Sequence, residues 1–352
     1  MKTIFRFAGT PVVALLVGLL LSQPANGQTE YKKLAQTGMK FLNVSGGARQ
    51  AALADAFTAV EGASSSMFYN TAAMAYLNGY ADAWLSTTQW IADIKHYYAT
   101  AAVSPWNGDY GVLGVSVQYV SYGEVQRTIF ARNDKGYLDL GVIHPSAYVV
   151  GISYAKSLTE RFAVGGTVKL VHQYLGQGAL NVTYVKDASD KDVRTAGTTL
   201  LRAEMDVPAF DFGILYRTGF KSLAFGMTVR NFAREVAYVR DKFQLPLTFR
   251  IGVAMNMFDF LEMDRNSQRL LLAVDAEHPR DYPEQLKVGL EYVFANTIAL
   301  RLGYVSPADE YGVSYGLGLQ QEFAGTRVAL DYAYTPFGIF DGVQRLSFHF
   351  GL

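Results

Sequence analysis

The stretch Gly312 to Gln320 reads G-V-S-Y-G-L-G-L-Q. In an extended chain successive side chains point to opposite faces. Val313, Tyr315, Leu317 and Leu319 therefore share one side, and Gly312, Ser314, Gly316 and Gly318 share the other. One face is large and greasy, the other almost bare. The contrast recurs downstream: Val328, Leu330, Tyr332 and Tyr334 oppose Arg327, Ala329, Asp331 and Ala333, and Leu346, Phe348, Phe350 and Leu352 oppose Ser347, His349 and Gly351. Upstream, Leu286, Val288, Leu290, Tyr292 and Phe294 oppose Lys287, Gly289 and Glu291, while the apolar set of residues 162–170 opposes Ala163, Gly165, Thr167 and Lys169. Period-two alternation of this kind marks β-strands.

A soluble sandwich also alternates. Two details favour a bilayer. The apolar faces are aromatic near the strand ends, as in an interfacial girdle, and the opposite faces are small or charged, as in a filled or watery lumen. About fourteen such segments run through 80–90, 95–104, 109–121, 147–156, 160–175, 205–218, 222–232, 244–257, 268–277, 283–294, 296–305, 311–322, 325–335 and 343–352. Most are close to the roughly 9–11 residues a tilted spanning strand needs, and the count is even, as single-chain bacterial barrels require. The fold class predicted is all-β: a transmembrane antiparallel barrel over 80–352.

The connections point the same way. S-P-W-N-G-D, K-S-L-T-E, T-G-F-K-S, F-A-N-T and Q-E-F-A-G are short and fall at every second gap, whereas 122–146 and 176–204 are long. Short turns lie in the periplasm and long loops outside. Both chain termini then fall in the periplasm. The gap near 258–267 is longer than this rule wants and reads as a short periplasmic helix.

The first residues look like an export signal. Lys2 and Arg6 precede the apolar run P-V-V-A-L-L-V-G-L-L-L, and Ala25 and Gly27 are spaced as a cleavage site, so 1–27 is predicted to be a signal peptide. Its apolar run is too short for a spanning helix, which needs about 20 residues. Outer-membrane lipid is thus the first expected partner.

Residues 28–79 fit no spanning strand. Ala48 to Val60 has helical composition, and Asp55 sits among small residues where lipid contact would be costly. We read 28–79 as a plug inside the barrel or at its periplasmic mouth, with Arg49, Asp55 and Asn70 as its candidate functional side chains.

Half of the residues are hydrophobic, 14% are aromatic, and 31 basic residues balance 31 acidic ones. That balance gives no electrostatic case for nucleic acid. With no cysteine there is no disulfide framework or thiol nucleophile. Gly312-Val313-Ser314-Tyr315-Gly316 matches a serine-hydrolase elbow, which needs a strand-to-helix turn, but here it falls mid-strand. His96, His144, His172, His278 and His349 show no metal spacing. The run D-A-S-D-K-D, with Asp187, Asp190 and Asp192, lacks the glycine and terminal glutamate of a calcium loop, and we read it, with Asp134 and Asp139, as solvated loop. No enzyme, cofactor or metal site is expected.

Charges at inward positions carry more information. Lys169, Arg217, Arg230, Arg250, Asp275, Lys287, Glu291, Arg301, Arg327 and Asp331 alternate with apolar residues. Facing lipid at mid-membrane, a Lys or Arg would cost about 2–4 kcal/mol. Both signs occur, so ion pairing across the lumen and to the plug is the expectation, ahead of a polar permeation path.

Several segments resemble the PorV/PorQ family, relatives of the FadL-type fourteen-stranded barrels. Gly47, Ala48, Arg49, Ala56, Phe57, Asn70 and Ala72 match its opening signature, while Ala52, Leu53 and Ala54 replace a glycine-methionine-glycine and Thr71 replaces a proline. A-V-D-A-E-H-P (273–279), E-Q-L-K-V-G-L-E-Y (284–292), L-R-L-G-Y (300–304), D-Y-A-Y-T-P-F-G (331–338) and Gln344 to Ser347 look like family hallmarks. The resemblance implies one of two roles. Some members dock beside the large translocon barrel of type IX secretion and receive cargo through its C-terminal domain. Others are FadL-like barrels that could pass small hydrophobic molecules. The leading expectation is the docking or shuttle role, with the loops near 122–146 and 176–204 and the aromatic loop bearing Phe337, Ile339 and Phe340 as partner surfaces. The alternative is a channel for a hydrophobic ligand.

Overall fold

A polar backbone can cross hydrocarbon as strands only if every edge is paired, and the alternating segments meet that condition by closing on themselves. The computed structural model describes residues 37–352 apart from 181, 198, 239, 261–266 and 310; the expected signal peptide and the first part of the expected plug lie outside the described residues. The strands are β1 (Ala81–Gln89), β2 (Lys95–Val103), β3 (Val112–Ser121), β4 (Ser146–Thr159), β5 (Phe162–Leu180), β6 (Thr199–Arg217), β7 (Ala224–Phe232), β8 (Thr248–Asn256), β9 (Arg269–Pro279), β10 (Gln285–Phe294), β11 (Ile298–Ser306), β12 (Val313–Phe323), β13 (Thr326–Phe337) and β14 (Phe340–Gly351). Each pairs with its sequence neighbour, and β14 pairs antiparallel with β1, Gly351 opposite Asp82 and Gln344 opposite Gln89, so the barrel is closed.

Burial is inverted relative to a soluble domain. On β11 Leu300, Leu302 and Tyr304 are exposed, while Arg301 between them is buried. On β10 Leu286 and Leu290 are exposed and Lys287 and Glu291 are buried. Such a surface is stable only against hydrocarbon. Leu302→Arg, at the midpoint of β11 on the lipid face, is expected to cost about 2–4 kcal/mol. Urea unfolding of the chain folded into lipid vesicles measures this, and an unchanged midpoint would contradict the assigned face.

The turns joining β4 to β5, β10 to β11 and β12 to β13 are tight and share one end with the start of β1 and the end of β14. The opposite end carries the long connections, which are more ordered than the sequence reading allowed. Within the span read as loop 176–204, β5 continues to Leu180 and β6 begins at Thr199, and a hairpin pairs Thr183–Lys186 with Asp192–Ala196. A second hairpin pairs Val125–Phe130 with Tyr137–Ile143. The two brace each other: Asp192 accepts the Arg132 N–H at 2.6 Å, Tyr184 donates to the Phe130 carbonyl at 2.5 Å, and Lys191 pairs with Asp134 at 2.6 Å. Asp187 caps its own turn, accepting from the Ser189 and Lys191 amides at 2.8 and 2.9 Å.

The segment before β1 departs from the sequence reading in two ways. The helix expected over Ala48 to Val60 stops at Ala52, and 3-10 turns at Ser64–Phe68 and Thr71–Tyr76 follow. The chain reverses at Ala54 and Asp55, both left-handed at φ 53° and 62°. Ala54 carries a Cβ at this left-handed position, so the reversal has a steric cost that glycine would avoid. The second departure concerns topology. Thr37 bridges Gln244 and hydrogen-bonds Asp281, and Lys40 ion-pairs with Asp281; both partners lie in connections of the long-loop end. The chain at residue 37 is therefore at the long-loop mouth, not at the short-turn end where β1 starts. Strand parity fixes where β1 starts, but the preceding segment traverses the lumen, which parity cannot register. The gap after β8 forms only a 3-10 turn at Met257–Phe260 before the undescribed residues.

Candidate functional site

Inward faces stripped to glycine let the plug backbone lie against the wall. At Gly289 a Cβ would sit 2.7 Å from the Leu53 Cβ and 2.8 Å from its carbonyl oxygen, and at Gly165 one would sit 2.6 Å from the Ala72 nitrogen. Between these contacts, wall carboxylates take up the plug's free donors. Asp275, fully buried, accepts the Phe57 and Thr58 amides at 3.0 Å each and the Thr58 hydroxyl at 2.6 Å. Asn70 donates to the carbonyls of Thr58 at 2.7 Å and Ile214 at 2.9 Å, while its own carbonyl caps the Thr71–Tyr76 turn through Ala72. Asp55 accepts from Ser45 at 2.5 Å.

Arg49 makes the strongest of these links, through both Glu291 oxygens at 2.7 and 2.8 Å. Burial alone would lower the Arg49 pKa, but the adjacent Glu291 carboxylate outweighs it and raises the guanidinium above its ordinary value. Glu291 is the hub of a chain: Arg301 reaches it at 2.6 Å and Arg269 at 2.9 Å, and Arg301 continues to Asp331 at 2.7 Å. Farther round the wall, Lys169 pairs with Asp211 at 2.7 Å, Arg250 pairs with Glu277 at 3.1 Å, and Lys287 also pairs with Glu277. Arg217 holds Glu61 and packs on the Tyr76 ring, Arg230 lies 5.9 Å from the Tyr69 ring centroid, and Arg327 lines the mouth at the short-turn end.

Pattern reading passed over Asp211, Glu277, Glu61, Arg269 and Arg345. Asp211 sits between Phe210 and Phe212, and Glu277 repeats the inward position of Asp275, so the same period-two rule would have found both. No rule of spacing joins Glu61 to Arg217, because that contact spans 156 positions.

The lumen has three regions. On the β3 to β6 side of the long-loop half the inner wall carries an apolar patch, flanked by the buried amides of Gln118 and Gln173. Val120, Val149, Val171 and Val207 are buried there and covered by Met39, Phe41 and Leu42 of the plug. A second region, a pocket of about 40 Å³, is lined by Asp55, Ser314, Arg345, Trp90, Tyr311 and Phe337 among others. Trp90 and Tyr311 both pack on Phe337, with ring centroids 5.2 and 5.3 Å apart. Burial pushes the Tyr311 phenol well above its ordinary pKa, so it stays protonated. Phe337 is therefore turned inward, whereas its neighbour Ile339 is almost fully exposed and Phe340 partly so. Ser314 is buried as the second residue of β12, paired with Gly303 in the ladder and with a hydroxyl that has no hydrogen-bond partner among the described residues, which is no setting for a strand-to-helix nucleophile elbow. The third region, at the short-turn end, is an open polar vestibule of about 1250 Å³ bounded by the plug, Arg217, Arg269 and Arg327.

A closed fourteen-stranded barrel with an apolar belt and an N-terminal plug defines an outer-membrane β-barrel of the FadL-like architecture. Solved structures share that fold. The Pseudomonas putida toluene transporter TodX is 11% identical with a TM-score of 0.55, covering 87% of this chain and 97% of its own. The Ralstonia pickettii toluene transporter TbuX is 9% identical with a TM-score of 0.55, covering 86% and 97%. A Pseudomonas aeruginosa FadL homologue is 10% identical with a TM-score of 0.50, covering 87% and 98%. No protein-family profile and no curated protein sequence matches the chain. The likeness therefore reaches the barrel fold alone, and not the PorV/PorQ family in particular.

Proposed function

We propose that this barrel takes up a small hydrophobic molecule at its outer mouth and passes it through the lumen. The observation that carries this reading is the apolar inner wall of Val120, Val149, Val171 and Val207. A water-filled porin has a polar interior, so an aliphatic wall beneath the long loops is suited to a greasy solute. Its present cover is Met39, Phe41 and Leu42, which belong to the plug rather than the wall. Displacing them exposes a hydrophobic surface without breaking a strand ladder. The toluene transporters that share the fold support the same solute class.

Uptake of radiolabelled toluene tests it, in cells whose outer membrane carries this chain as their sole barrel of this type. Uptake above the empty-vector level is expected, and Val149→Asp, which puts an unpaired carboxylate into the apolar wall, should return it to that level. Vector-level uptake by the folded native chain would overturn the proposal.

A docking role in protein secretion is the second reading. It is supported by the PorV/PorQ resemblance and by the braced hairpins, whose Phe130 is 73% exposed. An exposed aromatic on a fixed platform suits a protein contact. Detergent pull-down decides it: a large barrel and proteins sharing a C-terminal domain should co-purify, and should be lost when residues 125–143 are replaced by a short turn.

A further inference from the structure

Among the described residues the charge in the vestibule is not balanced. Arg49, Arg269 and Arg301 are shared between two carboxylates, Glu291 and Asp331. Three cations against two anions leave one formal positive charge. Glu291 is completely buried and already engaged on both oxygens, so it has no capacity left. Arg269 uses one nitrogen on Glu291 and leaves 45% of its side chain exposed. Arg327 and Glu322 add one charge of each sign at the mouth. Arg327 has no ion-pair partner among the described residues, although Glu322 lies opposite it in the β12–β13 ladder. Across the mouth, Arg217 is neutralised by Glu61. Among the described residues, Arg49, Arg269, Arg301 and Arg327 face Glu291, Asp331 and Glu322, which leaves one formal positive charge on the side of the vestibule formed by β9 to β13.

We propose that the short-turn vestibule binds small soluble anions bearing carboxylates, with Arg269 as the principal contact and Arg327 as the outer one. The ligand class follows from the chemistry present. A guanidinium is a planar fork matched to a carboxylate, and Arg269 already shows that pairing with Glu291 at 2.9 Å. Arg269, its side chain 45% exposed, lines a recess of about 1250 Å³ walled by strands and floored by the plug. That is ample for a small ligand and recessed enough to strengthen the attraction over bulk water. The site lies at the opposite end from the apolar wall and stands apart from the transport reading. Its occupancy bears on the plug, because Arg49 is held by the same Glu291 that restrains Arg269.

Citrate is the probe. Isothermal titration of the full chain in neutral detergent at low salt should show saturable binding that weakens as sodium chloride is added. Arg269→Gln should raise the Kd about tenfold, and Arg269→Gln with Arg327→Gln should abolish measurable binding. Lys191→Gln, on the hairpin at the other mouth, should leave it unchanged. Heat-modifiable gel migration shows that each variant is a folded barrel. As a second readout, citrate should raise the thermal transition of the native chain and not that of the double variant. The absence of saturable heat with the native chain, or binding that persists in the folded double variant, would overturn the proposal.

Discussion

Glu291→Ala is expected to destabilise the folded chain by about 3–5 kcal/mol, the range found when one member of a buried ion cluster is deleted. The carboxylate is fully buried and answers Arg49, Arg269 and Arg301. Without it three guanidiniums repel one another at the inner wall, with only Asp331 left to compensate Arg301. Urea unfolding in lipid vesicles measures the loss. The same experiment separates the two contributions, because Arg49→Met in the Glu291→Ala background removes one of the stranded cations. The double variant should be less unstable than the sum of the single losses. Strict additivity would mean that Arg49 and Glu291 do not act as a pair.

Gly289→Val should act on the plug rather than the wall. A Cβ there would press on Leu53 from 2.7 Å, closer than real side chains approach, and the added methyl groups deepen the clash. β10 is fixed by ladders on both sides, whereas Leu53 belongs to a short turn held by two local backbone bonds, its own N–H to Gln50 and the Ala56 N–H to its carbonyl. Overpacking of about 1–3 kcal/mol should therefore be relieved by moving the plug. In a planar bilayer the variant should show ion-conducting steps where the native chain is closed, and trypsin should cut after Arg49 in the still-folded barrel. A closed, trypsin-resistant variant would show that the plug is not the element that yields.

The sequence was most legible where its code is local. Val313 to Leu319 against Ser314, Gly316 and Gly318 can be sorted by parity alone, and each strand repeats the exercise without reference to the others. The Phe130 and Asp192 hairpins were missed because long connections are expected to lack order, although V-Q-R-T-I-F has strand composition of its own. The plug was poorly legible for a different reason. Alanine-rich Ala48 to Val60 satisfies a helix by propensity, but the interior wall dictates otherwise. Ala54 must turn left-handed beneath Gly303, and the Phe57 and Thr58 amides are drawn to Asp275 rather than to a continuing helix. Intrinsic propensity is worth a few tenths of a kcal/mol per residue, and contacts to a buried carboxylate are worth more.

By itself the sequence determined the number of strands, which face of each meets lipid, and the exclusion of thiol chemistry, since all three follow from residue type and a two-residue period. The tertiary structure alone decided that residue 37 of the plug lies at the long-loop mouth, that Glu291 gathers Arg49, Arg269 and Arg301, and that Phe337 turns inward while Ile339 does not. Those outcomes depend on contacts such as Arg49 to Glu291, 242 positions apart. Ring closure brings such residues together, and no local pattern of side chains encodes which of them will meet.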